Sequence, residues 1–186
     1  AAMHESDLLA FKIAIEIGQP GAIMAGYNLI NGEYASENAY LLNTVLKGEW
    51  KYPGWVMADW GATHSTEKAA LAGLDVQSGA NLDPEHFFGE PLRKAVEKGR
   101  VPQSRIDDMV RRQMRSLFAV RAIDNPAAPG QPIDYEAHKL VAQRAAEKGI
   151  VLLKNEEDVL PFAKGAKRIL VVGAHADVGV PSGGGS

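Results

Sequence analysis

The chain has 186 residues, 46% hydrophobic and 23% charged, with 19 Gly, 10 Pro, no Cys and a formal net charge of −3. That composition suits a globular chain of one or two domains with a real core and excludes a disordered one. Without cysteine there is no disulfide framework, thiol redox centre or thiolate metal site, and mild acidity with scattered basic residues argues against nucleic acid as a partner.

The first half alternates apolar runs of strand length with amphipathic runs of helix length, which is the α/β pattern. A helix is predicted from Ser6 or Asp7 to Ile17, ending at the breaker cluster Gly18-Gln19-Pro20-Gly21. Ala22–Ala25 follows as a short buried strand, then a loop from Asn28 to Ala35 holding the turn pair Asn31-Gly32. Ser36 is a candidate cap for a helix whose stripe is Leu41, Leu42, Val45 and Leu46. Trp55–Ala58 reads as a second strand, Ser65–Ala72 as a helix ending at Gly73, and Leu74–Val76 as a third, brief strand. A polar loop, Ser78 to Pro84, leads to a helix near Glu90–Lys98. The strongest periodicity starts at Ser104, with Ser104 and Asp107 as a capping pair and Ile106, Met109, Val110, Met114, Leu117 and Phe118 at helical spacing.

Asn125 to Pro132 is a linker by composition, because its prolines deny the backbone a ladder or a helix. Beyond it, a helix from Asp134 or Tyr135 to Lys148 and strands at Ile150–Leu153 and Arg168–Val172 open a second α/β unit. Three strands precede the linker and two follow it. Parallel strands joined by helices must close a barrel or form a doubly covered sheet, and neither set is complete. Both ends therefore read as cut, the glycine-rich tail Gly183–Ser186 included. No window approaches 18 uninterrupted apolar residues, so no membrane span is expected, and Ala1–Asp7 lacks the regions of a signal peptide.

Asp59 follows an apolar strand directly, and the carboxyl ends of parallel strands are where α/β folds build sites. On position alone an N-cap role for Asp59 is the commoner reading. The adjacent Trp60 shifts the balance, since an indole beside a carboxylate makes a platform for the apolar face of a sugar. The end of the first strand, Met24-Ala25-Gly26-Tyr27-Asn28, offers a phenol and an amide to the same mouth. Taken singly, Met24 fits core filling, Tyr27 a ring at the core edge and Asn28 a turn. The five histidines include no metal-binding pair, and 171–179 lacks a nucleotide fingerprint, so neither metal nor cofactor is expected.

Met24–Asn28 with Asn31-Gly32, then Trp50 and Gly54-Trp55-Val56-Met57-Ala58-Asp59-Trp60-Gly61-Ala62, resemble the glycoside hydrolase family 3 signature. The resemblance continues through Ala72–Asp75, the Ser104 helix, Val151–Asn155, Val159–Phe162 and Ile169–Gly173, in order over nearly the whole chain. It implies the C-terminal part of a (β/α)8 TIM-like barrel over 1–124, a linker at 125–133 and the start of an α/β sandwich domain over 134–186. It implies a retaining β-glucosidase acting on a β-glucoside or oligosaccharide, with Asp59 as catalytic nucleophile and Tyr27, Trp60 and Met24 lining the substrate. The family's acid/base glutamate and its Lys-His pair match no position here, which makes the isolated chain an expected half-site without activity of its own. Many relatives are exported. The competing readings are a β-xylosidase or β-N-acetylhexosaminidase of the same family, and a non-catalytic carbohydrate-binding fragment. Gly26 and Ala58 stand where the family usually has Ser, which removes two hydroxyl contacts and leaves the match at Asp59 intact.

Overall fold

The computed structural model describes residues 2–179, which form two units divided between Pro129 and Gly130. The first unit is α/β. Helices α1 (Ala2–Glu5) and α2 (Asp7–Gly18) precede strand β1 (Ala22–Ala25), and Gln19 closes α2 in the left-handed conformation where the breaker cluster predicts its end. Strand β4 (Trp55–Ala58) pairs with β1 in parallel, Ala22 opposite Trp55 and Ala25 opposite Ala58. Val76 adds a parallel bridge to Met57, so three chain segments run side by side with their carboxyl ends at one edge.

Between β1 and β4 the structure differs from the sequence expectation in two places. The predicted loop is a hairpin of β2 (Leu29–Ile30) and β3 (Glu33–Tyr34), turned by Asn31 and Gly32, both at positive φ as a two-residue hairpin turn requires. The helix that follows, Tyr40–Glu49, is π-helical and not α-helical, and Ser36 does not cap it. Asn38 takes that part by accepting from the Leu41 amide at 2.9 Å, while Ser36 is buried in a short 3-10 turn, Ala35–Glu37. From one side of this helix Asn43 donates to Leu71 O at 2.8 Å, and Lys47 donates to Gly73 O at 2.6 Å.

Lys47 belongs to a buried charge cluster that fastens β4. Asp75 has a fully buried carboxylate that receives Lys47 Nζ at 2.8 Å, Arg105 Nη2 at 2.6 Å and the Val56 amide at 2.8 Å. Arg105 also donates to Ala70 O and to Leu74 O, each at 2.8 Å. It lies on α5 (Gln103–Ala119), the strongly periodic helix, which follows α3 (Glu67–Ala72) and α4 (Glu90–Glu97). Helix α5 begins one residue earlier than expected, after Pro102, and Ser104 makes no capping bond. Arg112 on the same helix donates to Tyr52 O at 2.7 Å and Gly54 O at 2.9 Å, and Ser116 donates to Gly21 O at 2.7 Å. These bonds satisfy the carbonyls that lead into β1 and β4. Above them sits an apolar core of small and medium residues that includes Leu42, Leu46, Val56, Ala58, Ala69 and Leu74.

The second unit holds α6 (Tyr135–Gly149), capped by Asp134, whose carboxylate accepts from the Ala137 amide at 2.9 Å. The strands expected at Ile150–Leu153 and Arg168–Val172 are not formed. A strand exists only through its neighbours, and neither apolar run finds a ladder partner among the described residues. The Gly183–Ser186 tail lies outside the described residues.

Two outcomes follow from the buried cluster. Asp75→Ala leaves Lys47 and Arg105 as uncompensated buried cations and is expected to cost about 3–5 kcal/mol, read as a lowered urea midpoint. Burial lowers the Lys47 ammonium from 10.5 to about 8, outweighing the raising effect of the Asp75 charge, and burial raises the Tyr52 phenol from 10.0 to about 12. Between pH 8 and 10.5 the unfolded chain therefore binds more protons at Lys47, and that contribution to stability rises with pH. The Tyr52 contribution is complete below pH 10 and is lost as pH climbs toward 12. Thermal midpoints recorded across this range should lose the rise in Lys47→Met and the fall in Tyr52→Phe.

Candidate functional site

The chain has its polar side chains at the carboxyl ends of the three parallel segments: Tyr27 after β1, Asp59 and Trp60 after β4, and Gln77 after Val76. Asp59 continues the strand register, its amide donating to Ala25 O at 2.8 Å. Its carbonyl then accepts from the Ala62 amide at 3.0 Å, closing a turn whose third residue, Gly61, has φ +76. Only glycine adopts that conformation without steric cost. The turn excludes the N-cap reading of Asp59, because α3 starts eight residues later. The Asp59 carboxylate is half-buried and accepts from the Trp60 amide at 2.7 Å through Oδ1.

Tyr27 stands beside it. Shielding of the phenol from water, then hydrogen bonding to Asp59, then the negative charges of Asp59 and Asp83 all raise its pKa. The shift favours the protonated phenol, a form able to donate a hydrogen bond. Trp60 keeps 44% of its surface open, and its indole rests on the backbone of Gly79. Met24 is placed differently from the other three predicted residues. It is exposed and borders an apolar cavity of about 620 Å³ between α2 and β1, with Leu8, Phe11, Ile23 and Trp50, whereas Asp59, Trp60 and Tyr27 lie outside that lining. Of the residues lining the cavity only Asp7, Asn28 and Asn31 carry polar side chains.

Three groups of residues important to this edge escape the sequence reading. Asp83, in what reads as a plain polar loop, accepts from the Gly61 amide at 2.5 Å and from the side-chain amide of Gln77. Ser36 donates to Ala62 O at 2.5 Å, and Ser65 to Glu37 at 2.6 Å, which ties the Asp59 turn to the hairpin side. Tyr34 and His64 stack at 3.6 Å between ring centroids on the same seam. The sequence signal for Asp83 was its place before Pro84, which announces a turn and nothing about a clamp. No group of three or more His, Asp or Glu able to hold a metal ion occurs among the described residues.

Comparison with known proteins gives a consistent result. Residues 1–116 match the model of the glycosyl hydrolase family 3 N terminal domain, and residues 150–186 that of the glycosyl hydrolase family 3 C-terminal domain. The chain is 37% identical over 201 residues to beta-glucosidase BoGH3A of Bacteroides ovatus, covering all of this chain and 27% of that protein. It is 37% identical over 186 residues to probable beta-glucosidase J of Emericella nidulans, covering all of this chain and 21% of that protein. Among solved structures, beta-glucosidase D2-BGL from Chaetomella raphigera superposes with a TM-score of 0.74 at 38% identity, over 84% of this chain and 23% of that one. Beta-glucosidase 3B from Thermotoga neapolitana in complex with glucose superposes with a TM-score of 0.71 at 32% identity, over 84% and 22%. The chain thus spans about a quarter of the length of these relatives.

The contact between Trp60 and Gly79 is open to test. A Cβ at position 79 collides with the indole and also meets an unfavourable φ of +65. Gly79→Ala should displace the ring, raising acrylamide quenching of the emission that a Trp60→Phe variant lacks, and should destabilise the fold by about 1 kcal/mol or more.

Proposed function

The chain belongs to glycosyl hydrolase family 3, and from that membership we propose that it is an internal segment of a retaining β-glucosidase that removes terminal β-D-glucosyl residues. In this reading residues 1–124 are the C-terminal part of a (β/α)8 barrel, 125–133 the linker and 134–186 the beginning of an α/β sandwich domain. The single observation that carries it is the meeting of Asp59, Trp60 and Tyr27 at the carboxyl ends of parallel strands. The names of the relatives, beta-glucosidases throughout those cited above, support glucose as the sugar.

Retention requires two carboxyl groups about 5–5.5 Å apart, one attacking C1 and the other protonating the leaving oxygen and later activating water. Asp59 is the attacking group. Its oxygen forms a bond to C1 as the bond to the aglycone oxygen breaks, and hydrolysis of the resulting ester returns the free carboxylate. Tyr27 steadies that carboxylate by donation while the sugar lies on the face of Trp60. Met24 is assigned to the wall of the sugar site on the resemblance alone. No residue of this chain is assigned the acid/base role.

In the full-length protein Asp59→Asn should lower turnover of a chromogenic β-glucoside by about a thousandfold or more, with the fold retained by circular dichroism. A 2-fluoroglucoside trap should label the peptide that contains Asp59. Parallel assays with xyloside and N-acetylglucosaminide substrates should give the lower kcat/KM. Turnover at the native rate in Asp59→Asn, or label on another carboxylate, would remove the nucleophile from this position.

A further inference from the structure

The Asp59 turn is held from two sides by groups that take no part in the proposed chemistry. On the hairpin side, the buried Ser36 hydroxyl donates to Ala62 O at 2.5 Å. On the other, Gly61 N donates to Asp83 Oδ1 at 2.5 Å. The second oxygen of Asp83 accepts from Gln77 Nε2, and the Gln77 amide is itself fixed, with Nε2 donating to Glu85 O at 2.9 Å and Oε1 accepting from Phe88 N at 2.9 Å. Because backbone groups dictate which end of the Gln77 amide faces Asp83, residue 83 must present an acceptor at both of its terminal atoms. A carboxylate meets that demand. An asparagine turns an NH2 group on either Gly61 N–H or Gln77 Nε2, whichever way it is flipped.

The clamp brackets Trp60. Its backbone lies in the turn that Asp83 grips, and its indole rests on Gly79, between Gln77 and Asp83 in the same loop. The loop has little apolar anchorage of its own, since Leu82 is 60% exposed. We propose that Asp83 is a positioning residue that fixes the Trp60 platform relative to the Asp59 carboxylate by joining the Asp59–Ala62 turn to the 77–85 loop. The proposal rests on the sugar-platform reading of Trp60 given above. Asp83 touches neither the sugar nor the reacting atoms in this scheme and acts through the indole. A platform contributes similar contact to bound substrate and transition state, so its loosening raises KM more than it lowers kcat.

The test uses the full-length protein and a chromogenic β-glucoside. Asp83→Asn is expected to raise KM about tenfold with a smaller change in kcat, and to increase acrylamide quenching of the Trp60 emission. In a Trp60→Ala background the same substitution should change KM less than about twofold, because the group through which it acts is gone. An equal rise in KM with and without Trp60 would identify general loosening and overturn the proposal, as would unchanged KM and quenching in Asp83→Asn. Quenching decides the clamp independently of Asp59, whose nucleophile role stands or falls on the Asp59→Asn rate.

Discussion

The buried carboxylate of Asp75 is the interaction on which the first unit turns. In a regular parallel ladder the Val56 amide would bond to a carbonyl of the neighbouring strand. Here it donates to Asp75 Oδ2 instead, while both the Asp75 and Val76 amides donate to Val56 O, so two residues oppose one. The carbonyl of Leu74 goes to Arg105. The 74–76 segment is thereby paired to β4 through a side chain, and Lys47 and Arg105 attach the same carboxylate to the π-helix and to α5. A buried ion cluster is not in itself strong evidence for stability, since desolvation consumes much of the attraction. What this one does is specify register, because only one alignment of β4 against 74–76 brings the Val56 amide to the carboxylate.

That register reaches the strand ends. Val76 O accepts from Ala58 N at 3.0 Å, and Ala25 O accepts from Asp59 N at 2.8 Å, so Asp59 emerges between two carbonyl-anchored neighbours. The amino ends of the strands are tied to α5 by Arg112 and Ser116, and the carboxyl ends are tied to one another by Ser36 and Asp83. Rigid anchorage below and short polar pins above give an edge where side chains are positioned while their tips remain open to a ligand.

Local signals in the sequence were legible where one segment decides its own structure. The ends of α2 and α3, the strands at Ala22–Ala25 and Trp55–Ala58 and the body of the long α5 follow from periodicity and from Gly18 and Gly73. What was not legible depends on partners remote in sequence. The π-helix is held open by bonds to 71–75, the Ser36 hydroxyl by Ala62, and Asp83 by Gly61 and Gln77. Arg112 bonds to carbonyls about sixty residues away, which the periodicity of its own helix does not announce. The runs 150–153 and 168–172 carry strand composition without strand structure, since composition supplies one half of a ladder. Asp59 was legible as a candidate because apolar strand, carboxylate and indole are contiguous, whereas the residues that hold its turn are dispersed.

Three aspartates share the neighbourhood of these strand ends, and their surroundings divide their roles. Asp75 is 3% exposed and its oxygens are filled by an ammonium, a guanidinium and an amide, so no lone pair is left to attack anything. Asp83 has each oxygen engaged by an N–H whose own position is fixed by backbone, which suits a clamp. Asp59 is half-buried, and its one hydrogen bond among the described residues is from the amide of the next residue to Oδ1. A nucleophile needs ionisation together with an accessible oxygen, and full engagement by donors opposes the second requirement even as it secures the first. By that criterion Asp59 fits the nucleophile role proposed for it better than Asp75 or Asp83, whose oxygens are all engaged by donors.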